Sequence, residues 1–213
     1  MLPEELASHH PVLFHLAGAE AFEGIKRHGL LSAATLVEVF EVEAELRAQL
    51  LTQRRPKPVR LLHEKHGIAI LNDNRPLSEA KLAKCLDDGL SVADWLLMLN
   101  SRVFFWADER RLARLKEAPI NKERPKIILR LRTLDLVADH AQFAELSPIN
   151  TGATIHVPAR RGLSTFSRLS SHSYPDWRRM RRKNDKIAEV VFTRPIHSIE
   201  KYLIDVESVM GGA

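Results

Sequence analysis

KIAEVVFTRPI, residues 186–196, reads as a buried strand with a carboxylate set in its middle. Ile187, Ala188, Val190, Val191 and Phe192 are the residues of a strand interior. A lone ionised carboxylate among them costs several kcal/mol unless it is paired or wet. Strand alternation puts Ile187, Glu189 and Val191 on one face and Ala188, Val190 and Phe192 on the other. Two readings follow. Either Glu189 meets water on a half-exposed strand, or it faces a cleft that uses its charge. Its company of Ile and Val on one face favours the cleft.

The bulk numbers bound what that cleft can belong to. The chain has 213 residues, 45% hydrophobic and 28% charged, which suits an ordinary globular protein of one large domain or two small ones. No apolar run approaches the ~18 residues of a membrane span. The opening MLPEELASHHPVLF has no basic start and no long apolar stretch, so no secretory signal is expected and a cytoplasmic location is. The single cysteine, Cys85, excludes an internal disulfide framework and is expected to be a small core residue. The ten histidines are scattered without an accompanying acidic or Cys pattern, and no metal site is expected.

Net charge is +5, but it is local. Between His156 and Lys186 nine Lys or Arg stand against two Asp, so the remainder of the chain is net acidic. The segment sets Arg160, Arg161, Arg178, Arg179, Arg181 and Arg182 among Phe166, Tyr174 and Trp177. Arginines hold phosphates while aromatic rings stack on unpaired bases, which points to single-stranded DNA or RNA. An Arg-rich solvated loop is the plainer reading of the same run.

Along the chain, apolar spacing predicts a helix from about Ala19 with Gly29 at its C-cap, and a long amphipathic helix over residues 35–53. Further helices are expected at 78–86 and at 91–99, the latter capped by Ser91, and a short one after an N-cap at Asp108. Strands are expected at 102–106, over PKIILRLRT (125–133), and around Glu189. LSPINTGATIHVPARRG is rich in turn formers and reads as loop. There is no regular βαβ rhythm, so the class is α+β, one domain over 1–213 with a helix-rich portion at about 35–100. No dinucleotide-binding glycine fingerprint, P-loop, HExxH or GxSxG occurs.

Three separated pieces resemble one superfamily. FHLAGAEAFEGIKRHGLLS, from Phe14, is similar to the opening motif of histidine-containing ADP-ribosyltransferases, a strand ending in His followed by a helix and a Gly-Leu turn. RVFFWADERR resembles their second, aromatic strand, and AEVVFTRPIHSI the strand that carries the catalytic glutamate. The pattern is similar to that of DarT-type enzymes, which move ADP-ribose from NAD onto a base of single-stranded DNA. The whole chain also resembles an uncharacterised bacterial family of similar length.

The resemblance implies a split β-sheet core with a helical insertion, and NAD as substrate. It implies Glu189 as catalytic residue and His15 as a contact to the adenosine ribose. Phe105 or Trp106 falls where a nicotinamide-stacking Tyr often stands, and Arg110 matches an arginine that follows the second strand. Asn150 and Thr151, in SPINTG, offer amide and hydroxyl groups to the nucleotide. A DarT-like enzyme implies a toxin or phage-defence role and a cognate antitoxin. The same scaffold serves NAD glycohydrolases and RNA 2′-phosphotransferases. The missing Tyr, with Leu16 and Ala17 where polar residues usually follow the histidine, also admits a non-catalytic nucleic-acid-binding module.

Overall fold

Glu189 does lie in a strand, as its first residue rather than in its middle, and that strand sits between two others. The computed structural model describes residues 1–109, 125–180 and 187–209. Among them the chain is α+β. The elements in chain order are α1 (Pro3–His9), β1 (Val12–Gly18), α2 (Phe22–His28), α3 (Ala33–Val39), α4 (Ala44–Thr52), β2 (Val59–His63), β3 (Gly67–Leu71), α5 (Glu79–Cys85), α6 (Val92–Asn100), β4 (Val103–Trp106), β5 (Lys126–Arg132), α7 (Thr133–His140), β6 (Ala144–Ser147), β7 (Ser167–Arg168), α8 (Tyr174–Met180), β8 (Glu189–Phe192) and β9 (Leu203–Val209). Seven strands form one sheet in the order β7-β6-β8-β4-β1-β5-β9, every neighbouring pair antiparallel, and β2 with β3 makes a separate hairpin.

The register sets the faces. Glu189 stands opposite Trp106 on β4 and Ser147 on β6, and Val191 opposite Phe104. Val190 and Phe192 point the other way, into a core with Leu13, Phe105, Leu129 and the inner faces of α1, α7 and α8. Val191 and Phe104 join a second cluster built on Trp95, Leu96 and Leu82 of α5 and α6. A third cluster holds α3 and α4 against the β2–β3 hairpin through Val37, Phe40, Leu50, Leu61 and Leu71. The sheet is thus covered on both faces around β8, and β5 is buried through Lys126–Leu129 before alternating at Arg130, Leu131 and Arg132.

One seam is weak. β1 pairs along its whole length with β5, but with β4 only at Phe14↔Trp106. From His15 onward the two strands diverge. The His15 ring fills part of the gap: its Nδ1 lies 2.8 Å from the Phe104 carbonyl oxygen. Next to this wedge α2 ends as its sequence says. Gly29 has φ 83 and ψ −170, and its N–H donates to Ile25. Leu30 then exchanges two backbone hydrogen bonds with Ile196, just past β8 (2.8 and 2.9 Å).

The helix expected over 35–53 is two helices. Phe40 turns inward to the hairpin cluster, Glu41 takes φ 52, and the Glu43 carboxylate accepts from the N–H groups of Glu45 and Leu46, capping a new helix. Those hydrogen bonds hold the Glu43 carboxyl below its ordinary pKa. α6 starts on a Ser91–Asp94 capping box, as its sequence predicts. The helix expected after Asp108 lies outside the described residues beyond Glu109. The hairpin, α1, α7 and β9 are additions to the sequence reading.

Candidate functional site

The diverging seam opens into a cavity of about 400 Å³. Ligand sites of small molecules fall in this size range. Its walls include His15, Phe104, Trp106, Asn150, Thr151 and Glu189, drawn from four segments far apart in sequence. Part of β3, with Gly24, Ile25 and His28 of α2, also lines it. Close approach there depends on Gly24, since a Cβ would sit 2.7 Å from the Ile68 carbonyl oxygen. A second concavity, about 470 Å³, is lined by Lys26, Arg27, His197 and Glu200 and includes neither His15 nor Glu189.

Glu189 is 4% exposed, which removes the reading of a water-facing carboxylate. Its oxygens accept from the Thr151 backbone N–H at 3.2 and 3.3 Å and from the Thr151 hydroxyl at 2.8 Å. The loop that supplies Thr151 turns back sharply after β6. Ser147 bonds Ile149 through its hydroxyl, donating at 3.1 Å and accepting at 3.3 Å. Thr151, itself 1% exposed, spends its hydroxyl on the carboxylate. Thr151 lines the cavity and also holds Glu189, a role the sequence did not predict. Asn150 is half-buried and lines the cavity.

His15 is half-buried, and burial pushes its pKa below the ordinary value of 6.5, opposed by its bond to Phe104. A carbonyl only accepts, so the Nδ1 carries the proton and the Nε2 of the neutral ring is left as an acceptor. The aromatic pair of β4 divides. Phe105 is 1% exposed and packs edge-on against Phe192, with ring centroids 5.6 Å apart. Trp106 is half-buried on the face of Glu189. Of the two residues expected at the nicotinamide position, Trp106 is the one the register places beside the carboxylate.

The basic segment is less of a surface than its composition suggests. Arg161 is 2% exposed and Trp177 1%, so neither side chain can meet a polyanion from solvent, and both expectations are corrected. Trp177 belongs to the core beneath α8, and Phe166 packs on Trp95 at 5.8 Å. Tyr174 is stacked on His9, with centroids 3.7 Å apart. Arg160, Arg178 and Arg179 are exposed, Arg160 paired with Asp87 and Arg179 with Asp176. Arg110, Arg181 and Arg182 lie outside the described residues.

Sequence reasoning did not reach two features of the site. One is the buried Arg55 on the cavity wall, which donates to the Asn72 carbonyl (3.1 Å) and the Asn100 side chain (2.9 Å) and whose pKa burial lowers to about 10. The other is Arg102, also on the wall, bonded to Glu145 at 2.8 Å and lying over Phe166 at 4.4 Å. No local signal distinguishes such arginines from surface ones. Among the described residues no group of three or more His, Cys, Asp or Glu could hold a metal ion, and no helix is long and apolar enough to cross a membrane.

A comparison with curated proteins finds no match. Residues 11–203, which include the His15 strand, the Thr151 loop and the Glu189 strand, match the model of a family of unknown function, DUF7002, and the chain belongs to that family.

Proposed function

We propose that the protein breaks the nicotinamide–ribose bond of NAD and transfers ADP-ribose to an acceptor, with single-stranded nucleic acid as the acceptor class. One observation carries the reading: a buried strand carboxylate, Glu189, is held by Thr151 at the wall of a cavity it shares with His15. The weak β1–β4 seam is read as the split of an ADP-ribosyltransferase sheet.

The chemistry asks for these groups. As nicotinamide leaves, positive charge develops on the ribose, as in glycoside hydrolysis. A fixed, ionised carboxylate stabilises that charge without reorganising. A strand is a rigid platform for it. The neutral His15 accepts a ribose hydroxyl at its Nε2, and Trp106 offers a ring face to nicotinamide. The exposed Arg160, Arg178 and Arg179 support an acceptor with phosphates.

A second reading, hydrolysis of NAD without an acceptor, is favoured by the inward placement of Arg161 and Trp177, which thins the acceptor face. Incubation with NAD and a random pool of single-stranded DNA and RNA, read by intact mass of the oligonucleotides, separates the two. Transfer predicts a mass gain of one ADP-ribosyl group that disappears in Glu189→Gln. NAD consumed with no mass gain selects hydrolysis. Intact NAD with salt-sensitive oligonucleotide binding removes both and leaves a binding module.

A further inference from the structure

We infer that Arg161 is a positioning residue for Glu189, acting through Thr151 from outside the cavity. The catalytic weight of this inference rests on the role proposed above for Glu189; its geometric part does not. The Arg161 guanidinium donates from Nη1 to the Thr151 carbonyl at 2.9 Å and from Nε to the Ala159 carbonyl at 3.1 Å. Thr151 in turn donates its N–H and hydroxyl to Glu189. A single residue is thus gripped on its carbonyl side by a buried cation and on its amide side by a buried anion.

The arrangement accounts for where the side-chain donors of this buried cation go. Among the described residues no carboxylate lies within ion-pair distance of Arg161, yet it is 2% exposed. A buried charge without a partner is expensive. The charge of Glu189 reaches it across Thr151, whose carbonyl Arg161 holds and whose N–H and hydroxyl Glu189 holds. Burial lowers the Arg161 pKa, while Cys85 and Glu189 oppose that shift.

The backbone of Arg161 is fixed as well. Its N–H donates to Cys85 (2.9 Å) and its carbonyl accepts from Asp87 (2.8 Å), a parallel bridge to the end of α5. The guanidinium lies 5.9 Å from the Trp95 ring of α6. Gly162 follows because any Cβ there would run into Asp87 and Asp88. The cation is therefore held by the α5–α6 cluster, and the Thr151 loop is held by the cation. Two segments of the protein meet on one carboxylate through one threonine.

Two measurements test this. The first needs no turnover: the carboxyl ¹³C resonance of Glu189, identified by its loss in Glu189→Gln, is compared in the wild type, Arg161→Met, Thr151→Val and Arg160→Met. Displacement in the first two variants and not in Arg160→Met is expected. The second is kinetic. Hydrogen bonds to a charged group are among the stronger ones, so kcat should fall roughly 10- to 100-fold in Thr151→Val and Arg161→Met with KM for NAD little changed. Thr151→Ser, which keeps the hydroxyl, should return most of that loss. An unmoved Glu189 resonance in folded Arg161→Met or folded Thr151→Val overturns the inference, whatever the kinetics. A moved resonance in a protein that leaves NAD intact supports the positioning and removes the catalytic reading of Glu189. Should Arg161→Met fail to fold, Arg161→Lys, which keeps the cation beside the Thr151 carbonyl, is expected to leave the resonance in place; displacement by Lys would refute the role of the charge.

Discussion

Replacing Gly29 with Ala tests the join between α2 and the end of the Glu189 strand. Gly29 has φ 83 and ψ −170, a region that is essentially glycine's alone. An added Cβ would also fall 2.7 Å from the His197 Cα and 2.8 Å from the Ile196 carbonyl carbon. Both are backbone and cannot step aside as a side chain would. The backbone conformation costs about 1–3 kcal/mol. Opening the Leu30–Ile196 bridge forfeits two hydrogen bonds at about 1 kcal/mol each. The sum is about 3–5 kcal/mol, or a fall in Tm of about 6–20 °C for a chain of this size. Gly67→Ala is the control. Gly67 has φ 77 but nothing within 4 Å of an added Cβ, so only the left-handed backbone is penalised, by about 1–2 kcal/mol. Urea unfolding followed by far-UV circular dichroism measures both. Equal losses in the two variants, or a loss below about 1 kcal/mol in Gly29→Ala, would refute the reasoning, because the steric contact with residues 196–197 would then be absent.

Other perturbations separate fold from site. Phe105→Ala should cost about 3–5 kcal/mol of stability as a core truncation, whereas Trp106→Ala should cost less stability and more NAD affinity; thermal melts beside NAD titrations show whether the order reverses. Burial holds His15, His66 and His140 below their ordinary pKa of 6.5, His66 further by the neighbouring His63 and His28. The unfolded chain therefore binds more protons as pH falls through 6.5, and stability present above that value is lost below it. The Tm should drop between pH 7.5 and 5.5, and a Tm that rises over that range contradicts the assignment. Replacing Arg160, Arg178 and Arg179 with Ala should lower the slope of log affinity against log salt for single-stranded oligonucleotides by about 0.7 for each phosphate contact removed; an unchanged slope moves the acceptor face elsewhere.

Much of the site was legible because it rests on strand alternation. The alternation of Glu189 and Val191 against Val190 and Phe192 already gives their faces, and Ser91, Asp94 and Gly29 announce their helix ends with local chemistry. Ile187, expected beside Glu189, packs instead with Val190 and Phe192 because the strand begins only at Glu189. The break after Val39 was not legible. It comes from Phe40 turning toward a hairpin formed 20 or more residues later, and apolar spacing alone runs straight through it. Arg161 shows the same limit from the other side. A window on the sequence sees a run of arginines and reads surface. The bond that takes Arg161 inside reaches back to Cys85, and nothing near residue 161 reports it. Thr151 was picked out for its hydroxyl, but what the hydroxyl binds depends on β6 and β8 lying side by side.

The strand order carries a consequence for synthesis. β8 fits between β4 and β6, whose residues are made some 86 and 45 positions earlier, counted from first residue to first residue. Sheets assembled from such distant segments form slowly, since each pairing must first close a long loop. A ribosome-bound chain that has extended only through β7 holds His15, Trp106 and Thr151 but lacks Glu189 to gather them around. The pocket therefore cannot work on a nascent chain until residue 192 has cleared the ribosomal tunnel and β8 has docked. Any role of Glu189 in the pocket waits on the insertion of that last central strand.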